Sequence, residues 1–196
     1  MSLKLGVVLL VLAALPLGAQ EQAGTAKAAP AGKRTTPATG AAATAKIASA
    51  MSAAPSRIAS AATIAEIGRD GKIVTLRAGT NGFTCFPDDP NTPKPDPICA
   101  DRMWVQWFDA WMAKKPPMIK QVGIAYMLQG AADASNTDPF AMKPAAGADW
   151  VITPAHTMVI VPDPKQLDSY PSDPKSGGPF VMFKGTPYAH LMVPAH

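Results

Sequence analysis

The chain has 196 residues, 47% of them hydrophobic, with two cysteines and a formal net charge of +4. That excess lies wholly in the first 46 residues; from Ile47 onward thirteen basic residues meet thirteen acidic ones. A neutral body offers no basic surface for a phosphate backbone, which argues against nucleic-acid binding by the fold. The roughly 150 residues behind the basic leader are enough for one domain with its own core.

Lys4 gives a short positive start, Leu5 to Leu15 is apolar and uncharged, and Pro16 and Gly18 then break the run. This is the pattern of a secretory signal over residues 1–19, too short to span a bilayer. It predicts an exported chain, periplasmic or extracellular. No later stretch is long and apolar enough to cross a membrane once the signal is removed. Residues 20–46 are mostly Ala, Thr, Gly, Pro and Lys with no aromatic residue, a composition expected to form a disordered linker. A single globular domain is then expected over 47–196.

Ile47, Met51 and neighbouring alanines predict a short helix stopped at Pro55. Thr63–Ile67 and Lys72–Arg77 flank Asp70-Gly71 and read as a hairpin. Gly79-Thr80-Asn81-Gly82 predicts a second tight turn into Phe83–Phe86. Cys85 and Cys99, behind an export signal, are expected to form one disulfide closing a proline-rich loop. Asp101 is a suitable N-cap for a helix in which Trp104, Trp107, Phe108 and Trp111 fall at i, i+3, i+4 and i+7. Such a stripe is a core face against a sheet, or a stacking platform for a ligand. Pro116-Pro117 ends that helix. Val122–Leu128 reads as a buried strand, Gly130–Gly147 as a long loop, and Trp150–Ile152 and Thr157–Val161 as strands. Asp163-Pro164 opens a short helix to about Tyr170. Phe180–Phe183 and Tyr188–Val193 are the last two strands, joined by a turn at Gly185-Thr186-Pro187. The sum is an α+β fold: a mostly antiparallel sheet with one Trp-rich amphipathic helix packed on a face, and one disulfide.

The runs Leu76–Cys85 (LRAGTNGFTC), Tyr126–Gly130 (YMLQG), Ser135–Pro139 (SNTDP) and Gly185–Pro194 (GTPYAHLMVP) resemble a family of uncharacterised exported bacterial proteins. The resemblance covers about Ile47 to Pro194. It implies export and a single domain, and it implies no reaction.

Two segments carry a shared pattern: Ala155-His156-Thr157-Met158-Val159 and Ala189-His190-Leu191-Met192-Val193. In a strand, residues two apart share a face, so His156 stands with Met158 and His190 with Met192. If the strands are close, two imidazoles and two thioethers gather on one surface. That set suits copper, above all Cu(I). The other reading is that the methionines fill core and the histidines bond to loops. A zinc version would join His156 and His190 to Asp138 or Asp149. Asp88, Asp89, Asn91 and Asp96 in the disulfide loop offer oxygens for calcium without EF-hand spacing. Ser135, Ser169, Ser172 and Ser176 have no nucleophile-elbow motif around them. Glu66 is the only glutamate after the leader, which removes a paired-glutamate glycosidase. The leading expectation is therefore a domain that binds a small ligand or a protein partner. Its polar contacts are sought among Asn81, Asn136, Thr137, Asp138 and Tyr188, beside His156 and His190. The alternative is a copper or zinc binding protein, or a metal-dependent enzyme, using His156 and His190 with Met158 and Met192 beside them.

Overall fold

A computed structural model describes residues 40–68 and 71–195. The leader over 1–19, the linker over 20–39, His196 and the Arg69-Asp70 corner of the first hairpin lie outside the described residues. Helix α1 spans Gly40–Met51. Its start corrects the expected boundary at 46/47, because the last seven linker residues are helical. They are Ala and Thr with one Gly and one Lys, and alanine is the strongest helix former. Lys46 also belongs to the fold, as it pairs with Glu66. Helix α2 is a single turn, Ser56–Ala59, and Arg77 donates from Nη2 to the carbonyls of its last residue, Ala59, and of Ala62 behind it.

Ten strands follow in chain order: β1 Thr63–Ile67, β2 Ile73–Arg77, β3 Thr84–Phe86, β4 Ile98–Ala100, β5 Gly123–Met127, β6 Ala131–Asp133, β7 Val151–Thr153, β8 His156–Ile160, β9 Phe180–Met182 and β10 His190–Pro194. Helix α3, Arg102–Met112, lies between β4 and β5 in the chain. Eight strands form one sheet in the order β2-β1-β3-β4-β5-β8-β10-β9, while β6 and β7 pair by themselves. Every pairing in the large sheet is antiparallel except β1 with β3.

That parallel pair changes the reading of the second turn. The chain leaves the edge strand β2, passes over the end of β1 and comes down on its far side. Gly79 makes the crossing possible, since a Cβ there would lie 2.1 Å from the Ala62 carbonyl carbon and the Thr63 nitrogen. The long loop after Gly130 is also interrupted, by β6. Ala131-Ala132-Asp133 has little strand propensity of its own and is extended because it pairs with β7. The helix expected from Lys165 to Tyr170 is one 3-10 turn, Pro164–Leu167, with Asp163 accepting from the Lys165 amide.

The two faces of the sheet are covered by different elements. Cys85 and Cys99 are cross-strand partners in β3 and β4 and form the disulfide. They and Tyr126 face α1, whose Ala50 is buried against them with Ala53 and Ala54. The other face carries Ala100, Ala125, Met158 and Met192, and α3 lies across it with Met103, Trp104 and Trp107 turned inward. The Asp101 side chain holds the start of α3 by accepting from the Met103 and Trp104 amides at 2.9 and 3.0 Å, and it accepts from Ile124 of β5 at 2.7 Å. One carboxylate thus caps the helix and fixes it to the sheet. No helix among the described residues is long and apolar enough to cross a membrane.

Candidate functional site

The two His-x-Met segments are adjacent antiparallel strands, β8 and β10. Met158 and Met192 are direct partners, and their rung continues to Ala125 on one side and Phe180 on the other. Directly opposed residues share a face, so both methionines point under α3. His190 lies one step along β10 on the same face, opposite Met182 of β9. His156 lies at the other end, opposite Met127 and Pro194. The register leaves the two histidines four residues out of step, about 13 Å along the strands at roughly 3.3 Å per residue. A shared ion is therefore not assembled: the strands are neighbours, but their imidazoles are rooted on opposite sides of the methionine rung.

Beside this rung is a cavity of about 230 Å³. Its wall on the helix side is Trp104, Trp107, Phe108 and Trp111; its sheet side is Met158, Met182, His190 and Met192. Asp133, Ser135 and Asp138 bring carboxylates and a hydroxyl to it from the β6 loop. His190 is boxed by aromatic rings, with centroids at 5.0 Å for Trp104, 5.5 Å for Phe183 and 5.7 Å for Trp107, each close to edge-on. The tryptophan stripe is thus both core and cavity wall. Trp104 and Trp107 are buried, and their indole nitrogens have no protein partner.

Both imidazoles are oriented in the same way. His190 Nδ1 lies 3.0 Å from the Tyr188 carbonyl and His156 Nδ1 lies 2.7 Å from the Pro154 carbonyl. A carbonyl only accepts, so each Nδ1 carries the proton and each Nε2 presents a lone pair. Their surroundings differ: His190 lines the cavity, whereas His156 does not, and its Nε2 is sealed without a hydrogen-bond partner. Burial holds both imidazoles below their ordinary value, His190 down to about 4.

The other expected site residues are dispersed. Asn81 stands just before β3, and three strands separate β3 from β10. Its side chain donates to the Ile58 carbonyl and accepts from the Phe83 amide, which is loop closure. Tyr188 is buried and donates from its hydroxyl to the Lys115 carbonyl at 2.9 Å. Asn136 donates to the Ser172 carbonyl. Ser135 accepts from the Thr137 and Asp138 amides, and its hydroxyl is 3.3 Å from that of Thr137. Of the five residues sought as ligand contacts, only Asp138 reaches the cavity. Asp149 is exposed, and no group of three His, Cys, Asp or Glu among the described residues is placed to hold a metal ion, so the zinc set does not form. The calcium candidates are used within their own loop. Asp88 accepts from the Asp96 amide, Asp96 from that of Asp89, and Asp89 from that of Asn91.

Asp133 and Met182 are the residues that sequence reasoning missed. Burial pushes the Asp133 carboxyl up to about 7, and the Asp96 carboxylate adds to the shift. It stands in an Ala-Ala-Asp-Ala run with no motif around it. Met182 lies in the unbroken apolar run Phe180–Phe183, where alternation gives no clue to facing. No protein-family model, curated protein or solved structure matches the chain.

Proposed function

We propose that this is an exported, non-enzymatic binding domain whose cavity accepts one small, flat, largely apolar ligand. The observation that carries the reading is the cavity itself: about 230 Å³, walled by aromatic rings and thioethers, with a few polar groups at its edge. Ligand sites are commonly built so, apolar in area and polar at a few points. An apolar cavity of about 150 Å³ suffices for benzene, so one or two fused rings fit the space here. The imidazole lone pair of His190 and the carboxyl of Asp133 would take a ring N–H or hydroxyl. Export is supported by the N-terminal signal pattern and by the disulfide, which oxidising compartments favour.

Indole is a suitable probe. Titration of the full chain is expected to change tryptophan emission saturably at one equivalent and to raise the melting temperature. Trp111→Leu, which alters the half-buried outer wall, is expected to weaken that binding while the chain still folds. Unchanged emission and melting with indole, phenol and naphthol would dismiss the reading.

A further inference from the structure

We propose that the sheet side of this cavity is a site for one Cu(I) ion, held by His190 Nε2 and the thioethers of Met182, Met192 and Met158. This goes beyond the organic-ligand reading and does not depend on it. The placement comes from the sheet register. Met182 is the direct partner of His190, Met192 is its neighbour two residues along the same strand, and Met158 is the direct partner of Met192. All four stand on one face and all four line the cavity. Cross-strand partners have Cβ atoms about 5 Å apart, and methionine has three rotatable bonds with which to turn its sulfur inward.

The chemistry selects the ion. The four donors are neutral, three of them soft sulfurs, inside a buried aromatic box. A hard divalent cation held by these four would lose its water without gaining an anionic oxygen from any of them. A soft monovalent cation loses less, and thioether with imidazole is its preferred company. The Tyr188 carbonyl fixes the His190 tautomer from behind, which is how a ligating imidazole is usually oriented. Trp104 and Trp107 stand around the same imidazole and help keep water from it. His156 is not part of the set: it meets Met127, lies outside the cavity and is sealed. The copper site suggested by the paired segments is thus re-drawn around one histidine, with Met182 taking the place of the second.

The test is anaerobic competition of the full chain with bicinchoninate for Cu(I). One equivalent is expected to transfer to the protein, with loss of tryptophan emission. Met182→Leu/Met192→Leu keeps apolar volume and removes two sulfurs. It is expected to weaken copper binding by at least about a hundredfold, the upper end of what outer-sphere partners alone carry. The same variant should still bind indole if the cavity takes organic ligands, so the two readings fail separately. Wild-type protein that leaves the copper with the chelator overturns the site. So does a double variant that competes as well as wild type, since the ion is then held elsewhere. If the variant does not fold, X-ray absorption on the wild-type copper complex decides: a sulfur-dominated shell supports the site, and a shell of nitrogen and oxygen only overturns it.

Discussion

His190 combines a fixed tautomer, nearly complete burial and a place on the cavity wall, and its protonation is a handle on all three. Its folded value of about 4 lies below the ordinary 6.5. Between those values the unfolded chain binds a proton that the folded chain refuses. The contribution of His190 to stability is therefore present above pH 6.5 and is lost as pH falls toward 4. Asp133 acts in the opposite sense: its folded value of about 7 exceeds the ordinary 3.8, so stability falls as pH rises between them. Comparing wild type with His190→Gln isolates the histidine. The difference in their unfolding free energies is expected to change by about 3 kcal/mol between pH 7 and pH 4. Urea unfolding at the two pH values measures it, and parallel pH profiles would refute the assignment. At this scale the sequence showed half of the site. The period of two in His-x-Met put His190 with Met192 and His156 with Met158, and only the pairing of β8 with β10 brought Met158 beside Met192. Asn81, Asn136, Thr137 and Tyr188 misled because polar side chains in loops are as often consumed by local backbone bonds as presented to a ligand.

Helix α3 is the element that closes the cavity, and Asp101 is its attachment. Asp101→Ala removes the acceptor for two helix amides and for the Ile124 amide of β5. The expected cost is about 2 kcal/mol, the upper range of a cap substitution, because a strand bond is lost as well. Chemical denaturation checks it; a change within about 0.5 kcal/mol, typical of an ordinary surface substitution, would show that the carboxylate is not the attachment. This helix was legible because several signals agreed: the aspartate, the tryptophan spacing and the double proline. Elsewhere the signals were silent or ambiguous. The composition of residues 40–46 suits either a linker or a helix, and contact with the sheet decides between them. The glycines at 79 and 82 announce a change of direction without saying whether the next strand runs back or crosses over. Strand β6 is extended by its partner rather than by its own residues.

Helix α1 packs toward the β1–β4 end of the sheet and α3 over β4 and β5, with the disulfide set into the face that meets α1. Cys85→Ser/Cys99→Ser reopens the loop between β3 and β4. The double variant is expected to lose about 3 kcal/mol in the chain-entropy account of a loop this long, with the cavity at the other end still formed. Guanidinium unfolding, together with indole binding, separates the two effects; loss of both at once would show that the ends do not act independently. The order of the strands also sets a schedule. Strand β10 slots between β8 and β9, both made earlier, and it brings the imidazole and one of the thioethers. A chain emerging from its N-terminus can pair β1 through β5 long before residue 190 exists. The recess therefore lacks its imidazole until β10 is seated, so a partly folded chain with β1 through β5 paired has a wall but not that donor.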